Sequence, residues 1–322
     1  MRPVRDNDTV QIEVTAFCPK NCANCTRFCG HYKRPWFMNL DKFKRAVDSL
    51  ADFKGSQGVG MMGGEPVLHP QFEEFADYMA SKIPPERCGI WTCLPDLGSP
   101  EKNLQAGDVI ARTFGTIFPN DHTRPDVIHC PFLVSIDEVV SDERDRDYMI
   151  DHCWAQKSWS ASVNPHGAFF CEMAASLSML FGMRESAWPV AKGWWARNPI
   201  DYRKQIKEFC HLCGGAVPLG WRYSTETVDD ISPKMLSRLQ AIGSPKIKRG
   251  EFKIHNLQMQ VENRQMASYK DESYRQAIAR RYGLFLVLNT RGFMVPFKKI
   301  IGGLKSENKY VDCGPDNPPP PE

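Results

Sequence analysis

Three cysteines crowd the loop after the first predicted strand, and this feature constrains the fold more than any other. Residues 9–15 alternate apolar and polar side chains with a period of two, which predicts a β-strand. Cys18, Cys22 and Cys25 follow it in the spacing C-x3-C-x2-C. Three such thiolates can bind three irons of one cuboidal iron–sulfur cluster and leave the fourth iron open to another ligand. With Cys29 as a fourth ligand, the same thiols can instead bind a structural zinc ion.

Strands alternate with helices along the first part of the chain. The predicted elements are, in order, a helix over residues 40–53 capped by Asn39, a strand over 58–62, a helix from Pro70, and strands over 89–93, 115–118 and 132–136. This alternation is typical of parallel β/α units. Residues 1–146 have room for about five or six units, fewer than the eight of a closed barrel. We therefore expect an α/β fold that begins with an incomplete TIM-type β/α barrel, and the place of the cysteines at a strand end favours the cluster over zinc.

The sequence pattern changes near residue 150, where a second group of cysteines begins. A β-hairpin is predicted over residues 159–171, and a helix over 173–181 follows it and ends at Gly182. The cysteines of this region are Cys153, Cys171, Cys210 and Cys213. Their spacing is compatible with a zinc ribbon. Residues 246–322 form a C-terminal extension, and its proline-rich end over residues 316–321 is predicted to be disordered.

The composition limits the classes of function. Of the 322 residues, 41 are Lys or Arg and 38 are Asp or Glu, so the net charge is only +3. So small an excess creates no overall field that attracts nucleic acid or anionic membrane, and we interpret the basic stretch Lys246–Arg249 as a solvated face. No apolar run reaches the roughly 20 residues of a membrane span, and the first residues lack the apolar stretch of a signal peptide. We expect a soluble cytoplasmic protein whose thiols are reduced.

A second motif at the end of the second predicted strand strengthens the interpretation of the first. Gly63-Gly64-Glu65-Pro66 follows that strand about forty residues after the cysteines. Together the two motifs resemble those of the radical S-adenosylmethionine (radical SAM) superfamily. The resemblance implies that Cys18, Cys22 and Cys25 hold a [4Fe–4S] cluster whose open iron binds the amino and carboxylate groups of S-adenosylmethionine. It also implies that Gly63, Gly64 and Glu65 bind the methionine end of this cofactor, where missing Cβ atoms allow close approach.

The chain departs from the family pattern in two places. The residue before the third cysteine is usually aromatic in the family, and here it is Asn24. The fifth predicted strand also lacks a glycine-rich adenine motif. Asn120, just past the fourth strand, and Ser135, on the predicted fifth strand, are the nearest polar candidates for contacts with the ribose.

The second cysteine group resembles that of the twitch domain, a short relative of the SPASM domain that follows many radical SAM cores. The resemblance implies that Cys153, Cys171, Cys210 and Cys213 hold an auxiliary [4Fe–4S] cluster. It also implies that residues 147–245 form a small α+β twitch-like domain behind the core. An auxiliary cluster with four protein ligands has no open iron, so its natural role is electron transfer.

The resemblance implies a radical reaction on a polar small molecule of the sugar or aminocyclitol type. In the family, the cluster and its cofactor generate a 5′-deoxyadenosyl radical that removes a hydrogen atom, and a flavodoxin- or ferredoxin-type donor supplies the electron. An auxiliary cluster favours net oxidation. If Val10, Ile12 and Val14 pack outward on helices, then Gln11, Glu13 and Thr15 face the barrel interior and Glu13 is a candidate base or substrate ligand. The alternative is that the first strand is the edge of an open barrel and that these side chains face solvent.

Other outcomes remain open from the residues alone. An epimerase needs a thiol that returns a hydrogen atom, and Cys93, at the end of the third predicted strand, is the candidate. Peptide modification by a SPASM-type enzyme is a further alternative. A zinc-binding scaffold or a nucleic-acid module that uses the same thiols is the alternative from a different class.

Overall fold

The computed structural model describes residues 1–123, 127–158, 160–217 and 219–255. Within these ranges the strands are β1 (Thr9–Glu13), β2 (Gly58–Met62), β3 (Cys88–Thr92), β4 (Thr116–Pro119), β5 (Ile128–His129), β6 (Ala161–Asn164), β7 (Gly167–Phe169), β8 (Arg222–Tyr223), β9 (Asp229–Ile231) and β10 (Phe252–Ile254). The helices are α1 (Leu40–Leu50), α2 (Phe72–Lys82), α3 (Pro100–Thr113), α4 (Ile136–Val139), α5 (Glu143–Asp151), α6 (Trp154–Ser158), α7 (Glu172–Phe181), α8 (Arg203–Phe209), α9 (Pro233–Ala241) and α10 (Pro245–Lys248). The predicted disorder over residues 316–321 lies outside the described residues.

Six strands form one sheet in the order β4-β3-β2-β1-β6-β7. The pairs β1–β2, β2–β3, β3–β4 and β1–β6 are parallel, and only the hairpin pair β6–β7 is antiparallel. The α/β fold with a mostly parallel sheet, predicted from the alternating pattern, is therefore confirmed. Parallel strands place their carboxyl ends at one edge of the sheet, so the loops after β1, β2 and β3 meet there.

The elements nearest the cysteines form for local reasons that the sequence displays. Strand β2 has the predicted bounds, and α1 begins directly after Asn39, whose side chain accepts a hydrogen bond from the Lys42 backbone N–H at 2.9 Å. This N-cap satisfies a donor that the first helical turn leaves free. Helices α1 and α2 pack against each other, and the rings of Phe43 and Phe75 stack between them with centroids 4.1 Å apart.

The predicted strand over residues 132–136 is wrong. This segment forms a turn that leads into α4 at Ile136. Its backbone is bonded by loops that are distant in sequence: the Phe132 carbonyl accepts from the Gly214 N–H at 3.1 Å, and the Leu133 carbonyl accepts from the Ser232 N–H at 3.1 Å. The apolar run is buried against these loops, and a short buried run does not by itself distinguish a strand from other buried backbone.

The hairpin predicted near residue 160 is present, and it extends the central sheet. Strand β6 pairs in parallel with β1, so that Gln11 lies opposite Ser162. Strand β1 therefore has a partner on both sides and is not an edge. Residues of the segment 147–245 thus add two strands to the sheet that residues 1–146 begin. Helix α7 follows the hairpin and ends, as predicted, at Gly182, whose φ of 69° is the left-handed conformation that glycine favours.

Several elements were not predicted from the sequence, although two of them, α3 and α5, begin after the capping residues Ser99 and Asp142. These elements include α3, α5 and α8, and the small parallel pair β9–β10. This pair, with α10, packs behind the loop of the first cysteine group. None of the helices in the described part of the chain is long and apolar enough to span a membrane.

Candidate functional site

The two sequence motifs meet at the carboxyl edge of the sheet. The Gly64 N–H donates to the Thr15 carbonyl and the Glu65 N–H donates to the Phe17 carbonyl, both at 2.7 Å. A Cβ atom at Gly63 would lie 2.5 Å from the Thr15 oxygen, and one at Gly64 would lie 2.3 Å from the Phe17 oxygen. The glycines are therefore required by the packing of the β2 loop on the β1 loop. The motif predicts glycine here because a cofactor approaches closely, whereas the structure shows a second reason, the close packing of the two loops.

The Glu65 carboxylate joins the ends of β2 and β3. Its Oε1 accepts from the Thr92 hydroxyl at 2.6 Å, and its Oε2 accepts from the Cys93 backbone N–H at 2.7 Å. The side chain is buried. Burial, followed by the negative charge of Glu65, raises the pKa of the Cys93 thiol, which therefore stays protonated near neutral pH. Cys93 thus lies beside the second motif, at the edge where sequence analysis expected it.

The thiols of the first cysteine group lie close enough for their charges to interact. Burial, and then the neighbouring Cys25 and Cys18 thiols, raise the pKa of Cys22 to about 12. The Cys29 thiol also reaches this group and hydrogen-bonds to Cys18 and Cys25, which raises its own pKa and lowers that of Cys25. In the described ranges, no three His, Cys, Asp or Glu side chains form a site for a single metal ion. A set of clustered thiols is a donor set that suits iron–sulfur clusters and zinc.

Two turns with unusual backbone shape the loop of this group. Asn24 and Phe28, each immediately before a cysteine, have φ values of 47° and 56° in the left-handed region. Asn24 is held there by the segment around β9, because its Oδ1 accepts from the Asp230 N–H at 2.9 Å and its Nδ2 donates to the Asp230 carboxylate at 3.2 Å. Asparagine tolerates this conformation better than most residues. The departure from the family's aromatic residue therefore has a structural explanation.

A buried arginine in the same loop binds two carboxylates. The Arg27 guanidinium donates to Glu13 Oε1 at 3.0 Å, to Gln11 Oε1 at 2.9 Å and to the Glu172 carboxylate. Ser162 on β6 donates to the same Glu13 oxygen at 2.9 Å. Arg27, Glu13 and Glu172 are each at most 5% exposed, so solvent does little to screen their charges. Glu172 directly follows Cys171, so this buried group joins the first cysteine loop to the second cysteine group.

The charges of this network do not balance. Two carboxylates share one guanidinium, and burial raises the pKa of Glu13 to about 7 although Arg27 opposes the shift. Burial likewise raises the pKa of Glu172. Glu13 therefore lies in a buried network of charged side chains and can exchange a proton near neutral pH.

The four cysteines of the second group line one apolar cavity. Cys153, Cys171, Cys210 and Cys213 line it together with side chains that are mostly aliphatic or aromatic, among them Ile150, Phe170, Leu177 and Phe209. Burial and the neighbouring Cys153 thiol raise the pKa of Cys213 to about 12, and burial raises those of Cys171 and Cys210. Neutral thiols are therefore favoured until a cation enters the cavity, because metal binding requires thiolates.

The two ribose candidates have different environments. Asn120 lies directly after β4, and its N–H donates to the Thr92 carbonyl at 2.8 Å, so it is at the same edge as Cys93. Ser135 has no exposed surface and directly precedes α4 rather than lying on a strand. Its hydroxyl makes no hydrogen bond within the described residues. Ser135 was chosen as a ribose contact because a strand was predicted over residues 132–136, and that strand is absent from this segment.

Sequence reasoning missed the charged residues that hold the first cysteine loop. Arg27 lies between Cys25 and Cys29, and a charged residue at this place in a cysteine motif is a signal for a buried ionic contact. Lys246 was interpreted as part of a solvated face, and this is wrong, because its side chain is 1% exposed. Lys248 and Arg249 of the same stretch are exposed, as predicted. No local signal distinguishes Lys246 from them.

The fold and the site together define an α/β protein with a group of thiols at the carboxyl ends of parallel strands. Residues 12–107 match the family model described as the radical SAM superfamily. This part of the chain, which includes the first cysteine group and the Gly63–Pro66 motif, is therefore similar to radical SAM domains. No curated protein matches the sequence.

Three solved structures are similar to parts of the chain. BtrN in complex with AdoMet and 2-DOIA is 18% identical, and the match covers 64% of this chain and 88% of BtrN with a TM-score of 0.37. Selenomethionine BtrN in an open conformation is 16% identical, with coverages of 68% and 91% and a TM-score of 0.38. SuiB of Streptococcus suis bound to S-adenosylmethionine is 12% identical, with coverages of 82% and 54% and a TM-score of 0.28.

Proposed function

We propose that this protein is a radical SAM enzyme that oxidises a polar small molecule of the sugar or aminocyclitol type. Cys18, Cys22 and Cys25 hold a [4Fe–4S] cluster with an open iron for S-adenosylmethionine, and Gly63, Gly64 and Glu65 border the methionine end. When bound, these groups supply a 5′-deoxyadenosyl radical that removes a hydrogen atom from the substrate. One observation carries the proposal: within the segment that matches the family model, the Gly63–Pro66 motif makes backbone hydrogen bonds to Thr15 and Phe17, which lead directly into Cys18.

The second cysteine group supports an auxiliary [4Fe–4S] cluster within the twitch-like segment 147–245. Four thiols line one apolar cavity, and Cys thiolates are the usual ligands of such clusters. Four protein ligands complete the coordination of a cluster, so this site suits electron transfer rather than substrate binding. An electron acceptor inside the protein favours net oxidation of the substrate over return of a hydrogen atom.

Residues of the chain itself supply the proton chemistry. Arg27 and Ser162 fix the Glu13 carboxylate through its Oε1, and the pKa near 7 suits a base that works at neutral pH. We assign Glu13 the proton that the substrate loses when it is oxidised. Burial of this network excludes water, which protects a reactive intermediate from side reactions. A flavodoxin- or ferredoxin-type protein is the proposed electron donor.

A second candidate within the same class is an epimerase. Cys93 favours it, because its thiol lies beside Glu65 at the edge of the sheet and stays protonated, as a hydrogen-atom donor must. Solvent deuterium separates the two reactions. An epimerase places deuterium on product carbon through its thiol, and a Cys93→Ser variant loses that label. A dehydrogenase gives an oxidised product without the label.

Anaerobic reconstitution with iron and sulfide tests the proposal. We expect about eight irons per chain and release of 5′-deoxyadenosine from S-adenosylmethionine after reduction. Cys22→Ser should abolish the release, and Cys171→Ser should lower the iron content to about four. Cys88→Ser is the matched control, because Cys88 is buried but belongs to neither group. One or two zinc ions per chain, no chromophore and no 5′-deoxyadenosine would instead establish the zinc-binding scaffold.

A further inference from the structure

A lysine that is distant in sequence lies directly behind the first cysteine group. Lys246, on α10, donates from its Nζ to the Cys22 carbonyl oxygen at 2.9 Å and to Asp229 Oδ1 at 2.7 Å. It is 1% exposed. A fully buried ammonium is rare unless it has partners, and both partners here belong to or hold the cysteine loop.

The Asp229 carboxylate, on β9, contacts Asn24 and His31 of the cysteine loop as well as Lys246. Its Oδ1 accepts from the Asn24 backbone N–H at 2.5 Å, and its Oδ2 lies 2.8 Å from His31 Nε2. One carboxylate therefore binds both ends of the segment 24–31, which contains Cys25 and Cys29. The other ring nitrogen of His31, Nδ1, lies 2.8 Å from the Ser244 hydroxyl, on the segment that leads to Lys246.

The Lys246 side chain packs closely against the cysteine loop at Gly30. A Cβ atom at Gly30 would lie 3.1 Å from Lys246 Cδ and 2.9 Å from Asn21 Oδ1, so this position of the loop leaves little room for any other side chain. A buried ion pair is a poor source of net stability, because desolvation of two charges offsets their attraction. An apolar pair would fill the same space, but it would not donate to the Cys22 carbonyl or accept from Asn24.

The two charges also lie where they affect a cluster electrostatically. A [4Fe–4S] cluster with thiolate ligands is anionic and gains negative charge when it is reduced. Its reduction potential depends on nearby charges and hydrogen bonds. A cation at Lys246 favours the reduced state, and an anion at Asp229 favours the oxidised state. Because they are paired, their effects largely cancel until one of them is removed.

We propose that Lys246 and Asp229 are positioning residues for the cluster at Cys18, Cys22 and Cys25. They hold the cysteine loop in the conformation that presents its thiols, and because their charges are paired, the reduction potential of the cluster shifts only when one of them is removed. The inference rests on the proposed function, since it requires a cluster at this group. Both residues lie outside the matched segment 12–107, so the anchor is a feature that the family match does not include.

Two single variants of the full-length chain test the proposal, with Lys248→Met as the matched control because Lys248 is exposed on the same helix. After anaerobic reconstitution, we measure the midpoint potential by titration followed by EPR, and the rate at which a chelator removes iron. Lys246→Met should lower the potential and Asp229→Asn should raise it. Both should lose iron about tenfold faster than the wild type, because removal of a group that holds the metal ligands typically lowers metal affinity by about tenfold or more. The control should match the wild type.

The double variant Lys246→Met with Asp229→Asn completes the design if a single variant does not fold, because it leaves no unpaired buried charge. We expect it to lose iron rapidly and to keep a potential near that of the wild type. Wild-type iron retention in the double variant, or shifts of equal sign in the two single variants, overturns the inference alone. A wild-type chain that binds no iron contradicts the proposed function and this inference with it.

Discussion

Glu13 should make the stability of this protein depend on pH, and Glu13→Gln should remove that dependence. The folded-state pKa of Glu13 is about 7, and the ordinary value is 4.5. A carboxyl whose pKa is raised by folding binds more protons in the folded state, so the free energy of unfolding falls as pH rises between these two values. The difference of about 2.5 pKa units at 1.36 kcal/mol each corresponds to about 3 kcal/mol. Glu13 is fully buried, so solvent screening does not reduce this figure.

Equilibrium urea unfolding at pH 5 and pH 8, on chain kept reduced and free of metal, measures the effect. The wild type should lose about 2.5 kcal/mol more than Glu13→Gln over this interval, because pH 5 already lies above the unfolded pKa, Gln cannot ionise and Arg27 retains Glu172 as its partner. The exposed Glu101→Gln is the control and should follow the wild type. Parallel pH profiles for the wild type and Glu13→Gln would refute the reasoning, since they would mean that burial does not raise the pKa of this carboxyl.

Two further predictions concern backbone geometry. Gly64→Ala should destabilise the protein and lower the iron bound by the first cysteine group, because the Cβ of the alanine would lie 2.3 Å from the Phe17 carbonyl oxygen. Urea unfolding measures the loss of stability, and iron analysis measures the loss of iron. The control Gly107→Ala meets no atom within 4 Å in α3 and should stabilise the helix by about 0.5–1 kcal/mol. Asn39→Ala should cost about 1 kcal/mol by urea unfolding, because it removes the N-cap of α1; no loss would contradict the capping role of its bond to Lys42.

Two separate buried ionic groups hold the first cysteine loop. Arg27 ties it to Glu13 on β1 and to Glu172 beside the second cysteine group. Asp229, with Lys246, ties it to the segment that ends the described chain. A loop with two residues in the left-handed region is strained on its own, so these contacts explain how it keeps one conformation.

Much of the fold near the site is predictable because its causes are local. The period of two in β1, the apolar run of β2 and the cap at Asn39 each involve residues within one turn or one strand. The error at residues 132–136 has the opposite origin. That apolar run is buried by loops around Gly214 and Ser232, and its own residues do not show what will cover them.

The ligands that the chain can offer are visible in its residues: two groups of thiols and a glycine motif, placed by strands and helices whose periodicity is local. Which charged side chains are buried depends instead on the folded arrangement of distant segments. Lys246 and Cys22 are 224 positions apart, and Arg27 and Glu172 are 145 apart. Whether a charge is solvated or buried depends on partners brought together by folding, and a solvated lysine and a buried one are the same letter in the sequence.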